Sequence, residues 1–427
     1  MKPIALFQLT VLALCAPVAL AQQSHPTVFA EPSGSLTLAR ALQLALERNP
    51  ELAVFAHEIR AADARMLQAR ALPNPEAGVE VENFAGSRNF KGTRSADTTL
   101  QLSQLIELGG KRQKRQAEAA LGGEVAALDY EAKRLEVLGA VAQEFIAVLN
   151  AQQRLVGAEE ALTLTEKFAP AAQKRVEAGA ASQVELVRFN LQITTARLER
   201  DAAARDLAAA RKRLAALWGG APQFESVAGD LEKMPVAPSS EKSGEQIGQS
   251  PALKRWELEL ERRNAAVALE QANAKPDVTV SAGWRHLHET SDNAAVVGVS
   301  IPLPLFNRNQ GRVQRARAEA DKAKAEKRAT ETRLATELRV AFDNLSAAQR
   351  QIKTLKGEIL PLAQDAFDKV NQGYQAGRFN YLEVVDAQNT LIGAKAKYIE
   401  VLTAFQQAVA AIEALTGQPL EKLFSEK

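Results

Sequence analysis

The sequence has almost no cysteine, few aromatic residues and no long apolar stretch beyond its N-terminus. Of its 427 residues, one is a cysteine, Cys15, and 5% are aromatic. Cys15 lies in the apolar stretch that begins the chain, so the remainder can neither form disulfides nor use a thiolate. After that stretch no run of about 18 apolar residues occurs, as a membrane-spanning helix would need. Such a chain could cross a membrane only with β-strands.

An excess of one charge is also lacking. The 53 basic and 51 acidic residues give a net charge of +2, which provides no electrostatic footprint for nucleic acid. The sequence contains no Ser/His/Asp set, nucleotide-binding loop or cysteine cluster, and "GGKRQKR" at 109–115 does not have the spacing of a phosphate loop. We therefore expect neither an enzyme nor a cofactor.

The N-terminus is typical of a secretory signal peptide at residues 1–21. Lys2 supplies the positive charge, an apolar stretch follows, and Ala19 and Ala21 form a cleavage site. We expect cleavage after Ala21 and export from the cytoplasm. Attachment of a lipid to Cys15 is disfavoured because Leu14 precedes it, where the lipidation signal has a small residue.

The chain contains two copies of one pattern. Residues 101–113 align with 298–310, and residues 175–192 align with 373–390. Each copy predicts a helix, two strands, a very long helix, a tight bend and a returning helix. The predicted division is a signal peptide (1–21), an N-terminal linker (22–34), repeat 1 (35–220), a linker or equatorial segment (221–245), repeat 2 (246–417) and a C-terminal tail (418–427).

Apolar residues recur every 3.5 positions along both long helices, as in helices that supercoil around their neighbours. In repeat 1 this stripe is Leu121, Val125, Leu128, Ala132, Leu135, Gly139, Ala142, Ile146 and Leu149. In repeat 2 it is Leu334, Leu338, Ala341, Leu345, Ala348, Ile352, Leu355, Ile359 and Leu362. The first helix, from about Gly110 to about Gly179, would reach roughly 100 Å at 1.5 Å per residue, too long for a compact globule. Pro170 and Pro361 should bend the helices near their far ends.

Four segments alternate apolar and polar residues as strands do: 77–84, 98–108, 278–287 and 294–303. The predicted apolar face is Val79, Val81, Leu100, Leu102, Val278, Val280, Trp284, Val297 and Val299. The predicted polar face is Glu80, Glu82, Gln101, Ser103, Thr279, Ser281 and Arg285. An apolar outside and a polar inside suit a water-filled barrel in lipid, and a soluble sheet with one wet face is the alternative. Because four strands cannot close a membrane barrel, two or three chains would have to combine.

These features resemble the TolC family of outer-membrane efflux ducts over nearly the whole chain. The phrases "LPNPEAGVEVENF", "QLSQLIELGGKR" and "IPLPLFNRNQG" are similar to its CzcC-type branch, the outer-membrane component of cobalt–zinc–cadmium resistance systems. The resemblance implies a mainly α-helical homotrimer whose 12-stranded β-barrel, with four strands per chain, continues into a long α-helical barrel in the periplasm. It also implies a periplasmic adaptor protein and an inner-membrane RND pump as partners, outer-membrane lipid around the barrel, and passive conduction of divalent heavy-metal cations.

Two alternatives stay open at this point. Within the same class, the duct could conduct organic toxicants or serve type I secretion, because the pump selects the substrate. From another class, a soluble periplasmic adaptor or scaffold would also have long helical hairpins. Adaptors, however, carry one hairpin between compact β-domains, whereas paired strands of membrane length occur twice here.

Each bend between long helices has a glycine where one helix stops and Ser or Asn where the next begins. These residues are Gly179, Ser182, Gly377 and Asn380. Glu185 and Glu383 follow the predicted caps at the spacing of a capping box. The resemblance implies that the two bends are the periplasmic tips that contact the adaptor.

Charges at the same bends predict a gate. Asp386 lies one helical turn after Glu383, and a three-fold ring of such pairs would form a cation-attracting constriction. The resemblance implies that Glu383, Asp386 and Tyr374 take part in closing the tip. The arginine that the family has at the tip corresponds to Phe379 in this sequence. Arg188 is placed to pair with Asp386. The predicted gate residues are Tyr374, Arg378, Glu383, Asp386, Glu185 and Arg188.

Weaker signals are two histidines and the cations at the start of the first long helix. His286 and His288 would share one face of a strand, but two histidines do not complete a metal site, so we predict none. The cations in 109–115 oppose the dipole at a helix start, and we interpret them as contacts to lipid headgroups at the inner rim of the barrel. The two strand-to-helix junctions should bend differently, because the first contains glycines and the second contains Pro302 and Pro304.

Overall fold

The computed structural model describes residues 31–179, 182–233 and 250–417. The predicted signal peptide with Cys15 and the cleavage site after Ala21 lies outside the described residues. So do most of the predicted N-terminal linker, residues 234–245 of the predicted second linker, and the predicted tail at 418–427. Within the described ranges, no helix combines the length and the hydropathy needed to cross a membrane.

Both halves of the chain have the predicted order of a helix, two strands, a very long helix and a returning helix. The N-terminal half contains β1 (Gly34–Thr37), α1 (Leu38–Arg48), α2 (Pro50–Arg70), β2 (Glu76–Glu82), β3 (Asp97–Ile106), α3 (Lys111–Glu177) and α4 (Gln183–Ala216). The C-terminal half contains β4 (Phe224–Ala228), α5 (Pro251–Asn273), β5 (Val278–Leu287), β6 (Asp292–Ser300), α6 (Gln310–Thr354), a π-helical turn (Leu355–Ile359), α7 (Leu360–Gln375) and α8 (Tyr381–Thr416). With 67 residues, α3 is about 100 Å long.

The four predicted strands form one antiparallel sheet in the order β2-β3-β5-β6. Its register places Leu100 between Val79 and Trp284, and residues opposite each other on paired strands share a face. The adjacent Gln101 lies opposite Gly283, on the other face. The register thus confirms one apolar and one polar face, and it leaves β2 and β6 as the open edges of the sheet within the described chain.

A second sheet has two short parallel strands, β1 and β4. They bring Leu36, Phe224 and Val227 into the main core beside Trp218. Nothing in the local sequence predicts this sheet, because each strand is short and its partner lies far away in the chain. The segment interpreted as a linker or equatorial segment therefore packs, over Phe224–Ala228, against the helices.

The predicted stripe of α6 is buried from Leu334 to Ile352. In α3 only Val125, Ile146 and Leu149 of the predicted stripe are buried, and its other six members are half-buried. Pro170 lies inside α3, which continues to Glu177.

The stripe of the second long helix shifts by one residue at the π-helical turn. Leu355 is buried as predicted, but Ile359 and Leu362 are 41% and 68% exposed. Ala363 and Phe367 occupy the core in their place. A π-helical turn contains an extra residue and so rotates the following helix relative to its neighbours. The prediction that Ile359 and Leu362 are buried is therefore wrong.

Candidate functional site

Two glycines end helices at the predicted tip. Gly179 and Gly377 adopt φ angles of +69° and +72°, and their amides donate 3.0 Å hydrogen bonds to the carbonyls of Val176 and Tyr374. A Cβ atom disfavours this left-handed conformation, so glycine suits both positions. The predicted helix stops are confirmed.

The helix N-caps differ between the two copies. The Asn380 side chain accepts from the Glu383 amide at 3.2 Å, and the Glu383 carboxylate accepts from the Asn380 amide at 2.7 Å, which completes a capping box. Ser182 occupies the N-cap of α4 without a side-chain hydrogen bond. The predicted side-chain cap at Ser182 is thus wrong, and the amide of Glu185 donates to the Ser182 carbonyl instead.

An apolar cluster joins the two helical hairpins near the tip. Its buried members are Ala172, Phe189, Tyr374, Tyr381 and Val384. The ring centroids of Phe189 and Tyr381 lie 3.8 Å apart. Burial, with the negative charge of Glu185 as a smaller contribution, raises the pKa of Tyr381 to about 12. Tyr374, a predicted gate residue, therefore lies inside the tip core of the single chain.

Most of the predicted gate charges lie on the surface of the single chain. The exposed residues are Arg188, Arg378, Glu383 and Asp386. Within the described residues no ion pair joins Arg188 to Asp386, so the predicted bridge does not form inside one chain. Helices α4 and α8 are linked instead through Gln192, which donates to Asn389 at 3.3 Å.

His286 lies at the far end of β5, on the apolar side of the sheet, and His288 follows Leu287, the last residue of the strand. The Nδ1 atom of His286 is 3.0 Å from the Asn293 side-chain oxygen, and the two imidazole rings stand edge to face with centroids 6.2 Å apart. In the part of the chain that the structure describes, no group of three His, Cys, Asp or Glu side chains could hold a metal ion. The same Asn293 oxygen accepts from the Trp284 indole at 3.1 Å.

The first strand-to-helix junction is tied to the protein by its cations. Lys111 Nζ lies 2.7 Å from Asp277 Oδ2, and Arg115 lies 2.6 Å from the Glu107 carboxylate. Asp277 also accepts from the Leu108 amide at 2.9 Å. The predicted contact with lipid headgroups is therefore wrong for Lys111 and Arg115. Their position at a helix start has a different cause, because each is paired with a carboxylate.

An asparagine lies at the end of the second strand-to-helix junction. Asn309 is the N-cap of α6 with a φ of +59°, and its side-chain amide donates to the carbonyl and the carboxylate of Glu270 at 2.7 and 2.6 Å. The corresponding N-cap of α3 is Gly110, with a φ of +71°. The chain passes from strand to helix over 107–110 in the first junction and over 301–309 in the second. The prediction that the junctions bend differently is confirmed.

A third polar cluster lies beside the π-helical turn. The Glu232 carboxylate accepts from Lys356 Nζ at 2.6 Å and from the Tyr398 hydroxyl at 3.1 Å. The hydrogen bond from Lys356 lowers the pKa of the Glu232 carboxyl, and burial raises the pKa of Tyr398. Sequence patterns did not predict this cluster, because Glu232 follows β4 in a segment interpreted as a linker and lies far along the chain from its partners.

Both halves of the chain match one protein family. The sequence model of the outer membrane efflux protein family matches residues 41–220 and 244–418. The cobalt-zinc-cadmium resistance protein CzcC of Cupriavidus metallidurans is 38% identical over 389 residues, which cover 91% of each chain. The nickel-cobalt-cadmium resistance protein NccC of Alcaligenes xylosoxydans xylosoxydans is 28% identical over 64% of this chain and 62% of its own.

The fold also matches a solved channel. A crystal structure of CusC, from work on its folding and transmembrane channel formation, has a TM-score of 0.78 to this chain and covers 92% of this chain and 96% of that one. The sequence identity is 19%, so this likeness bears on the fold.

Proposed function

The chain belongs to the outer membrane efflux protein family, and on that premise we propose that it is the exit duct of a tripartite efflux system for divalent heavy-metal cations. It lies in the outer membrane, its helical barrel extends into the periplasm, and it conducts passively. The main observation that supports a duct is the sheet with one apolar face. Its strands β3 and β6 are followed by the long helices α3 and α6.

The open edges of the sheet require other chains to close the barrel, and a homotrimer closes it with twelve strands. Strands β2 and β6 are edges within the described chain, and unpaired edges are not tolerated in hydrocarbon. Pairing of β6 in one subunit with β2 in the next joins three chains into a barrel of twelve strands. Repeat 1 (35–220) and repeat 2 (246–417) then alternate around the wall.

The substrate class rests on the metal-resistance relatives. CzcC is similar over 91% of this chain, and its name assigns it to cobalt, zinc and cadmium resistance. In this arrangement the inner-membrane RND pump selects the cation and supplies the energy, and the periplasmic adaptor connects pump and duct. The polar face that would line the barrel carries Glu80, whose charge favours cations over anions by Coulomb attraction, whereas Glu82 is paired with Arg285 at 3.0 Å.

The substrate proposal is tested by deletion of the gene. We expect greater sensitivity to salts of Zn, Co, Cd, Ni or Cu, with little change toward dyes and antibiotics, and recovery when the gene is restored. Sensitivity to organic compounds alone would contradict the metal assignment and support a duct for organic toxicants. Release of the protein from membranes by salt alone would support a soluble scaffold.

We place the gate and the adaptor contact at the tip. The turn residues Gly179, Ser182, Gly377 and Asn380 would meet the adaptor, and the gate set would be Tyr374, Arg378, Glu383, Asp386, Glu185 and Arg188. Two roles are separable in this set. Glu383 closes a capping box, whereas Asp386 is exposed and free of intrachain ion pairs within the described residues.

The gate is tested with the double variant Glu383→Gln/Asp386→Asn. Glutamine retains the acceptor that a capping box needs, so the variant removes two negative charges per subunit while it keeps the helix start. We expect a larger single-channel conductance or a weaker preference for cations in planar bilayers. Unchanged conductance and unchanged cation preference would contradict the gate.

A further inference from the structure

The segment after β6 exposes an unusual run of apolar side chains. Ile301, Leu303, Leu305 and Phe306 are 50%, 76%, 65% and 91% exposed. They follow Ser300, the last paired residue of the strand, and precede α6. A contiguous exposed apolar segment marks a surface that another phase or molecule covers.

This segment continues the apolar face of the barrel strand. Val297 and Val299 lie on that face and are 77% and 65% exposed. Side chains alternate along an extended chain, so Ile301 and Leu303, at every second position, extend the same face past the last paired residue. The chain then turns tightly, because the amide of Leu305 donates to the Leu303 carbonyl at 2.9 Å.

Prolines separate this segment from any neighbouring strand. Pro302 and Pro304 have no amide hydrogen to donate, so one side of the chain loses two successive ladder donors, and the pairing with β5 ends at Ser300. The first junction contains no such segment: it spans 107–110 and has Leu108 as its one large apolar residue, whose amide is held by Asp277. Of the two strand-to-helix junctions, the second alone contains the apolar turn.

Exposed cations lie immediately beyond the apolar turn. Arg308 and Arg312 are exposed, as is Arg112 at the start of the other long helix. Among the residues that the structure describes, none of these three lies within ion-pair distance of a carboxylate. An apolar surface bordered by unpaired arginines matches the acyl chains and the phosphates of a phospholipid leaflet.

We propose that Ile301–Phe306 is a membrane anchor that inserts into the periplasmic leaflet of the outer membrane, with Arg308 and Arg312 at the phospholipid phosphates. Lipid is favoured over a protein partner because the segment is continuous with the lipid-facing surface of β6. Three such turns would surround the duct at the level where its wall changes from sheet to helix. The anchor is independent of the substrate that the duct conducts.

The position of the anchor is tested by a fluorescent probe at a single cysteine. In a chain without Cys15, Leu305→Cys carries an environment-sensitive fluorophore, and the trimer is reconstituted into vesicles of phosphatidylethanolamine and phosphatidylglycerol. We expect quenching by brominated acyl chains and protection from aqueous iodide. The matched control is Leu362→Cys, which is similarly exposed but lies on α7, and it should show the reverse. Quenching of the Leu305→Cys probe by iodide, or protection from both quenchers by a neighbouring subunit, would overturn the proposal.

A second measurement does not depend on a label. We expect the melting temperature of the trimer to rise on transfer from detergent to these vesicles, and to rise less in Leu303→Ser/Leu305→Ser/Phe306→Ser. In Arg308→Gln/Arg312→Gln, the stabilisation by phosphatidylglycerol over phosphatidylcholine vesicles should shrink. Equal increments in the wild type and both variants would overturn the anchor without bearing on metal efflux.

Discussion

Lys111 Nζ lies 2.7 Å from Asp277 Oδ2, so the first residue of the longest helix in repeat 1 is paired with the residue that precedes β5 in repeat 2. The Lys111 and Asp277 side chains are 9% and 20% exposed. The bond from Asn309 to Glu270 of α5 ties the second strand-to-helix junction in a similar way. The first junction is thus held by a contact between the two copies, and the second by a contact within repeat 2.

We predict that Asp277→Asn destabilises the trimer by about 3 kcal/mol, because it leaves a largely buried ammonium without its counter-charge. The measurement is thermal unfolding in detergent, followed by circular dichroism. The control is Arg112→Gln, which removes an exposed cation beside Lys111 and should change stability by less than about 0.5 kcal/mol. Equal effects of the two variants would refute the role of the pair.

The two tips provide an internal comparison of helix capping. Asn380→Ala should cost about 1 kcal/mol, because it removes the acceptor for the Glu383 amide. Ser182→Ala should cost close to nothing, since the Ser182 hydroxyl makes no capping bond. Thermal unfolding of the two variants side by side measures the difference, and a larger loss for Ser182→Ala would contradict the observed caps.

The π-helical turn predicts opposite effects of a deletion and an insertion. Deletion of Gly357 removes the extra residue of the π-helical turn. The spacing from Leu355 to the next buried residue then becomes that of an α-helix, so Phe367 stays in the core. Insertion of one alanine after Gly357 rotates Phe367 toward solvent and should cost about 3 kcal/mol, as the loss of a buried aromatic side chain does. Trimer yield and melting temperature distinguish the two, and equal tolerance would contradict the shift in the stripe.

The Glu232 cluster predicts a stability limit at low pH. The lowered pKa of Glu232 means that its contribution is present above about pH 4.3, the ordinary pKa of Glu, and is lost as the pH falls through its folded-state pKa. The raised pKa values of Lys356 and Tyr398 act in the opposite direction: their contribution is present below about pH 10 and is lost as the pH rises through their folded-state values. The contribution of this cluster to stability should therefore be constant between these limits.

Glu232→Gln should remove part of the loss of stability on the acid side in a series of melting temperatures measured from pH 3 to 7, given the ordinary pKa of about 4.3 for Glu. Glu225→Gln, on the exposed side of β4, is the control and should follow the wild type. If the melting temperatures of Glu232→Gln and the wild type fall equally at low pH, the cluster does not determine the loss of stability in acid.

Local patterns were sufficient for much of the fold. The alternation of Leu100 and Gln101 predicted which side of the sheet each would face, and the glycines at 179 and 377 predicted the helix ends, because both signals depend on neighbouring residues. Contacts between distant residues were not predictable in the same way. The partners of Asp277 and Glu232 lie in distant parts of the chain, and no spacing pattern in the sequence predicts those contacts.

The candidate site shows the same limit. Asn380 and Ser182 look equivalent in sequence, yet only Asn380 makes a side-chain cap. Tyr374 was predicted as a gate residue through resemblance, and its place in the tip core depends on Phe189 and Tyr381, which belong to the two different hairpins. The stripe beyond Leu355 was mispredicted because a strict 3.5-residue period does not anticipate a π-helical turn.

The proposed role as a metal exit duct is tested by the release of metal from loaded cells. Cells with and without the gene are loaded with zinc, cobalt or cadmium, transferred to metal-free medium, and sampled over time for cell-associated metal. We expect release of at least one of these cations to slow toward the passive leak in the deletion strain, and the restored gene to return it to the wild-type rate. Identical release of all three cations with and without the protein would contradict a role in metal efflux.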